Sequence, residues 1–135
     1  MLRESHLEIV RTKGTRLGSA LIGILFVVSG TSMLMASEAT IQYFGILNIP
    51  AAMFWFWPLV ILKVAAGLAL IIGKRTTEAA CYLILFTLIA TLLAHLSPEN
   101  DPTFPTGLLK NLAIVGGLLF VLGYGPHGIY VKNEA

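Results

Sequence analysis

The stretch AMFWFWPLVILKVAAGLALIIGKR, residues Ala52–Arg75, decides the fold. An α-helix rises about 1.5 Å per residue, so roughly 20 apolar residues cross a bilayer core of about 30 Å. Residues 52–73 therefore predict a membrane-spanning helix. One basic residue, Lys63, interrupts this stretch near its middle. A charge there costs roughly 2.5–3.5 kcal/mol, so Lys63 must reach the interface, find a partner, lose its proton or face water.

The composition of the whole chain is that of a membrane protein. Of its 135 residues, 56% are hydrophobic and only 12% are charged, whereas soluble domains are typically about 25% charged. This length permits one bundle of spanning helices but no additional soluble domain of ordinary size. The lipid bilayer is thus the expected surrounding. No dense basic patch is interleaved with exposed aromatic residues, so nucleic acid is not an expected partner.

Three further apolar stretches give four predicted spans, at residues 16–36, 52–73, 79–96 and 107–124. The segment 1–15 is polar, and either an amphipathic surface helix or an unstructured tail fits it. A cleaved signal peptide is an alternative for the first span, but the apolar stretch is longer than a usual signal core and its cleavage site is poor. Residues 38–51 and 97–106 are expected to be loops, and residues 126–135 a polar tail.

Small residues recur along two of the spans. Ser19, Gly23 and Gly30 fall on one stripe of the first span. In the second span, small residues repeat every four positions, at Ala65, Ala69 and Gly73. Such stripes allow the backbones of neighbouring membrane helices to approach closely. We therefore predict an all-α, integral membrane four-helix bundle packed through these stripes.

The basic residues indicate the orientation of the bundle. Seven of them lie on one side of a four-span threading: Arg3, Arg11, Lys13, Arg16, Lys74, Arg75 and Lys132. Because basic residues stay in the cytoplasm, both termini are predicted to be cytoplasmic. The expected location is the inner, or plasma, membrane, which the chain crosses several times.

This threading brings four polar residues to the outer half of the bundle: Lys63, His95, Lys110 and Asn111. Two cations, an imidazole and an amide could receive a small anion or a quinone carbonyl, and His95 could carry a proton. A second interpretation places His95 and Lys110 at the water interface and gives Asn111 an interhelical hydrogen bond. In that case Lys63 reaches outwards or pairs with an acidic loop residue, Glu38 or Glu99.

Other kinds of site lack their motifs. Cys81 is the single cysteine, so an intramolecular disulfide, a C-x-x-C pair and a thiolate zinc cluster are excluded. The sequence contains no H-E-x-x-H, Walker A or G-x-S-x-G motif, and no two spanning histidines that could hold haem. We therefore expect no metal and no cofactor that this chain builds in by itself.

The pattern resembles the DoxX family of small four-span membrane proteins, including its DoxD-like branch. The similarity is carried by Arg16-Leu17-Gly18, by Phe26–Gly30, by Gly67–Gly73, by His95, and most specifically by Lys110–Leu119 with Gly125-Pro126 after it. The resemblance implies a place in quinone-linked or sulfur metabolism, as in the membrane subunit of a thiosulfate:quinone oxidoreductase, or in oxidative-stress complexes. It implies a bound quinone as ligand, and a redox protein or a second copy of the chain as partner.

Three functional hypotheses follow. The first is a membrane subunit of a redox complex, in which Lys63 and Lys110 clamp a quinone or small anion, His95 carries a proton and Asn111 provides a hydrogen bond. The second is a membrane anchor or assembly partner without catalytic activity. The third is a small transporter, for which a single four-helix chain would need to oligomerise. Whether the chain is an enzyme by itself is left open.

Overall fold

The computed structural model describes residues 4–96, 99 and 101–125. This part of the chain is helical and contains no strand, which confirms the predicted all-α class. A π-helical turn at Val10–Gly14 joins the first two helices. The helices are α1 (Glu4–Ile9), α2 (Thr15–Met35), α3 (Ser37–Ile46), α4 (Ala52–Ile72), α5 (Thr76–Ala94) and α6 (Thr106–Tyr124).

Four helical segments are long and apolar enough to cross a membrane, as predicted: Glu4–Met35, which contains α2, and the helices α4, α5 and α6. Many of their large apolar side chains point away from the bundle; Leu21, Ile61 and Leu92 are each more than half exposed. An apolar surface of this extent is unfavourable in water and favourable in hydrocarbon. The chain is thus a multi-pass membrane protein.

The closest contact between spans joins α2 to α4 at two glycines. A Cβ atom added to Gly23 would lie 2.5 Å from the carbonyl oxygen of Gly67, and one added to Gly67 would lie 2.7 Å from the oxygen of Gly23. Ser19, one turn before Gly23, is buried and donates a hydrogen bond of 3.3 Å to the carbonyl oxygen of Leu70. The predicted stripe on α2 therefore does bring two backbones together.

The predicted packing stripe on α4 is found only in part, since Ala69 alone of its alanines packs against the apolar core. Ala65 is exposed, and Ala69 and Gly73 are only half-buried. The buried side of this helix instead carries Phe56, Val60, Ala66, Gly67 and Leu70. Ala66 and Gly67 directly follow Ala65, so they lie about 100° and 200° further round the helix at 3.6 residues per turn. Gly67 is the residue at which the backbone of α4 approaches α2.

The N-terminal segment is neither a separate surface helix nor an unstructured tail over its described residues. The backbone is helical through Ile9, Gly14 and Thr15, with φ between −61° and −65°. No proline interrupts this stretch, so the helix that begins at Glu4 continues into the first span.

The predicted first loop is also wrong, because most of it forms α3. The start of α3 has a feature typical of a helix N-terminus: Glu38 lies in the first turn, where the helix dipole favours an acidic side chain. The first proline of the segment, Pro50, comes only after the helix has ended. Phe44 of α3 is buried against Phe56 and Val60 of α4.

The two ends of the bundle differ in chemistry. The basic end carries Arg11, Lys13, Arg16, Lys74 and Arg75, and here Gly73 and Arg75 adopt left-handed conformations in the turn between α4 and α5. The opposite end, which we call the α3 end, carries α3, His95 and residues 101–105. That both termini are cytoplasmic stays a prediction, and the predicted tail 126–135 lies outside the described residues.

The apolar core occupies the half of the bundle nearer the basic end. Helix α2 contacts α4 and α6, and α5 also contacts α4 and α6, so the four spans form a ring. Leu70, Leu83 and Leu118 are fully buried between them. In the half nearer the α3 end, polar side chains enter the interior, and these form the candidate site.

Candidate functional site

Lys63 lies inside the bundle, between three helices. Its Nζ donates a hydrogen bond of 2.8 Å to Oγ of Ser29 on α2. The same ammonium lies 5.0 Å from the centre of the Phe86 ring on α5, within the range of a cation–π contact. An ammonium has three N–H donors, and the hydrogen bond to Ser29 uses one of them.

The predicted pairing of Lys63 with Glu38 or Glu99 is not found. Within residues 4–96, 99 and 101–125, the contact of salt-bridge length between a carboxylate and a basic side chain joins Asp101 to His95. The physical reason is local: Ser29 is within reach across the closest helix interface of the bundle, whereas Glu38 and Glu99 are exposed.

All four predicted site residues line one cavity of about 200 Å³. We call it the polar cavity. Lys63 enters it from α4, His95 from the end of α5, and Lys110 and Asn111 from the start of α6. The rest of the lining is Leu25, Phe26, Ser29, Phe86, Thr87, Ala90 and Ile114. None of these lining residues is acidic, so the cavity favours a ligand that accepts hydrogen bonds or carries negative charge.

Asn111 bridges two helices while it lines the polar cavity. Its Nδ2 donates to Oγ1 of Thr91 at 3.1 Å, and this bond joins α6 to α5. Thr91 donates in turn to the carbonyl oxygen of Thr87 at 2.6 Å. The interhelical hydrogen bond that sequence reasoning gave as the alternative role of Asn111 is therefore present.

His95 is held by a carboxylate on the loop that follows it. Its Nδ1 lies 2.7 Å from Oδ2 of Asp101. The other carboxylate oxygen, Oδ1, accepts hydrogen bonds from the hydroxyl of Thr103 at 2.6 Å and from its backbone N–H at 2.9 Å. The hydrogen bond from the Thr103 hydroxyl, then the one with His95 and then the one from the Thr103 backbone lower the pKa of Asp101 to about 2. Asp101 is therefore ionised at neutral pH although its side chain is only 5% exposed.

A second, larger cavity adjoins the polar cavity. It has a volume of about 730 Å³ and lies among α3, α4 and α5, with mostly apolar walls. We call it the apolar groove. Its walls on α4 and α5 are Leu59, Leu62, Leu85, Ile89 and Leu93. Tyr43 and Phe44 of α3, and Leu47 just after α3, form the remaining wall. Lys63, Phe86, Ala90 and His95 line both the groove and the polar cavity.

The described residues contain no cluster of three or more His, Cys, Asp or Glu side chains that could hold a metal ion. Cys81 is exposed on α5. The polar groups of the site are a lysine, a histidine–carboxylate pair and an amide.

Comparison with known proteins identifies the family of this chain. Residues 16–96, which include α2, α4, Lys63 and His95, match the family model described as DoxX. The chain belongs to the DoxX family. It is also 26% identical over 115 residues to the inner membrane protein YphA of Escherichia coli, a match that covers 82% of this chain and 82% of that protein. No solved structure matches. Together with the four apolar spans, these matches make it a multi-pass inner membrane protein.

Sequence reasoning missed several side chains of the candidate site. Ser29, Phe86 and Thr91 contact predicted residues directly, but serine, phenylalanine and threonine are ordinary in spanning helices and give no signal alone. Sequence reasoning also did not include Asp101 in the site. The order Asp-x-Thr is typical of a turn in which the Asp side chain accepts from the backbone two residues later, and that signal could have indicated an ordered loop.

Proposed function

We propose that the bundle binds a lipophilic quinone and serves as the membrane subunit of a quinone-linked, sulfur or oxidative-stress redox complex. The observation that carries this proposal is the meeting of two unlike cavities at the same residues. Lys63 and His95 line both the polar cavity and the apolar groove. A ligand with a polar head and a long apolar tail fits such a pair of cavities, and a membrane quinone has this form.

The polar cavity supplies groups that suit the quinone head. Lys63 uses one donor on Ser29, so two N–H groups are left for oxygen atoms of a ligand. Lys110 brings a second ammonium to the same cavity. Hydrogen bonds from charged donors are worth roughly 1.5–3 kcal/mol, more than those between neutral groups. A quinone oxygen that accepts from Lys63 would thus be held firmly.

The apolar groove suits the tail. Its walls are aliphatic and aromatic side chains of α3, α4 and α5, and burial of apolar surface contributes about 25 cal/mol per Å². The groove lies at the end of the bundle that carries α3. With the predicted orientation, a quinone would therefore enter from the outer leaflet.

The test is to identify what copurifies with the protein. Wild type is purified in mild detergent, bound small molecules are extracted, and mass spectrometry identifies and counts them. The Lys63→Leu variant is treated in the same way. Lys74→Leu is the matched control, because Lys74 is exposed in the turn at the basic end, far from both cavities.

Quinone in stoichiometric amount is expected with wild type and with Lys74→Leu. Loss of one charged hydrogen bond weakens binding by about 10- to 100-fold, so Lys63→Leu should lose the quinone during purification while its helix content is unchanged. Absence of quinone from all three proteins, with unchanged stability of Lys63→Leu, would instead favour an anchor or assembly partner.

A further inference from the structure

We infer that the polar cavity takes the reduced, hydroxyl-bearing form of its ligand, a quinol, because Asp101 fixes His95 as the proton acceptor for the ligand head. This inference rests on the quinone site proposed above and names the form of the ligand that this site selects. It assigns Asp101 as a positioning residue, which acts through His95 and does not line the polar cavity itself.

The first step is the orientation of the imidazole. Asp101 accepts two hydrogen bonds from Thr103 on Oδ1 and turns Oδ2 to His95. An ionised carboxylate can only accept hydrogen bonds. The hydrogen between Oδ2 and Nδ1 therefore belongs to Nδ1 of His95. In the uncharged ring Nε2 is then a lone-pair acceptor, since a neutral imidazole carries one N–H.

The second step concerns which edge of the ring is accessible. A Cβ atom added to Gly107 of α6 would lie 2.7 Å from Nδ1 and 3.0 Å from Cε1 of His95. It would also lie 2.5 Å from Oγ1 of Thr103. The backbone of α6 thus closes the Nδ1 side of the ring, and only a glycine leaves room for it there. Nε2 is the ring nitrogen left for a molecule in the cavities that His95 lines.

The third step is the complementarity of donors and acceptors. Lys63 and Lys110 can only donate, whereas Nε2 of the uncharged His95 accepts. A quinol hydroxyl donates to Nε2 and accepts from an ammonium with its oxygen. A quinone carbonyl has no hydrogen to donate and would face the Nε2 lone pair without a bond, which disfavours it.

The same arrangement of residues allows a proton to pass from the quinol hydroxyl to His95. The O–H bond of the quinol breaks and an Nε2–H bond forms, so the imidazole becomes an imidazolium whose Nδ1–H still points at the Asp101 carboxylate. The negative charge stays on the quinol oxygen, next to the ammonium groups. The charged groups that face His95 are then Asp101 from the loop, Lys63 from α4 and Lys110 from α6. No electron moves in this step.

The experiment compares the two redox forms of one probe. The affinities of decylubiquinol and decylubiquinone are measured for the full chain in lipid nanodiscs, with the quinol kept reduced under anaerobic conditions. Wild type is expected to prefer the quinol by about tenfold, the value of one hydrogen bond to a buried acceptor. Asp101→Asn should abolish this preference, because the amide can donate to Nδ1 and so move the ring hydrogen to Nε2.

A second variant disturbs the ring without changing a charge. Gly107→Ala should also reduce the preference, since the new methyl group displaces His95 and Thr103 from Asp101. Gly116→Ala on the same helix is the matched control, because a Cβ atom there meets nothing within 4 Å. Magnetic resonance of isotope-labelled histidine, assigned with His95→Gln, reads the tautomer directly in each protein. Thermal unfolding shows whether each variant is folded.

The outcomes separate the two proposals. A quinol preference in wild type and Gly116→Ala that is lost in Asp101→Asn and Gly107→Ala supports the inference. Equal affinity of wild type for both forms, or hydrogen found on Nε2 instead of Nδ1, overturns it while the quinone site stands. Binding of neither form overturns the quinone site and the inference together.

Discussion

Replacement of Gly67 by alanine should force α2 and α4 apart. The added Cβ atom would lie 2.7 Å from the Gly23 oxygen and 3.1 Å from the Val27 backbone nitrogen. These are backbone atoms, which cannot rotate away as a side chain can. Ordinary contact begins at 3.4 Å, so the helices must separate locally by about 0.7 Å, the difference between 3.4 and 2.7 Å.

The expected cost follows from this separation. Overpacking of a close contact typically costs 1–3 kcal/mol, and the higher helix propensity of alanine returns about 1 kcal/mol. Because backbone is opposed to backbone, the upper part of this range applies, and we expect a net loss of about 2 kcal/mol. Part of the loss comes from Ser19 and Lys63, whose hydrogen bonds join the same two helices.

The assay is equilibrium unfolding in mixed micelles of mild detergent and dodecyl sulfate. Gly18→Ala is the control on α2, since a Cβ atom there meets nothing within 4 Å; it should be neutral or slightly stabilising. Gly23→Ala requires a displacement of about 0.9 Å, the difference between 3.4 and 2.5 Å. That displacement also makes room for alanine at position 67. The double variant should therefore cost little more than Gly23→Ala alone. A Gly67→Ala protein as stable as Gly18→Ala would refute this account of the interface.

Three further outcomes are expected. Ser29→Ala removes the hydroxyl that accepts a hydrogen bond from Lys63 and should lower the free energy of unfolding by about 2 kcal/mol. The control in the same unfolding assay is Ser32→Ala, which loses only an exposed hydrogen bond within its own helix and should be close to neutral. A double-mutant cycle of Asn111→Ala and Thr91→Val tests the hydrogen bond that joins α6 to α5 and should give a coupling energy of about 0.6–1.7 kcal/mol. A coupling energy of zero would show that this hydrogen bond does not stabilise the fold. The folded-state pKa of Asp101 is about 2, below its ordinary value of 3.8. Its ionised form therefore adds stability that is complete above a pH of about 5 and is lost as the pH falls towards 2. The thermal midpoint of Asp101→Asn should vary less with pH in this window than that of wild type.

The four spans and their common polar end could be predicted because they depend on the length, apolarity and order of the segments, which can be read directly from the sequence. The length and apolarity of a segment determine whether it can span. Once four spans alternate in direction, Lys63, His95, Lys110 and Asn111 necessarily approach the same end, and the structure places all four at one cavity. This step needed only the helical rise and the order of the spans.

The remaining features depend on helix rotation and on loop geometry, which the sequence expresses weakly. On α4 the small residues Ala65 and Ala69 compete with Ala66 and Gly67, and spacing alone did not decide which of these faces packs against α2. The position of Lys63 could have decided, because Gly67 follows it by four residues and so lies on the same face. A face that carries an intramembrane lysine is expected to point inwards. The helix α3 was missed for another reason, since a segment between two spans was assumed to be a loop.

The glycine stripe of α2 helps to position Lys63 in the polar site near the end of that helix. A Cβ atom on Gly30 would lie 3.2 Å from Cβ of Lys63. Because glycine has no Cβ atom, the Cβ atom of Lys63 can lie against the backbone of α2. From there Nζ reaches Ser29 on α2 and the Phe86 ring on α5. A charged hydrogen bond is worth roughly 1.5–3 kcal/mol and a cation–π contact roughly 0.5–2. Together they offset the roughly 2.5–3.5 kcal/mol that a central lysine costs. The bundle thus holds an ammonium in its interior at little net cost and leaves two of its donors for a ligand.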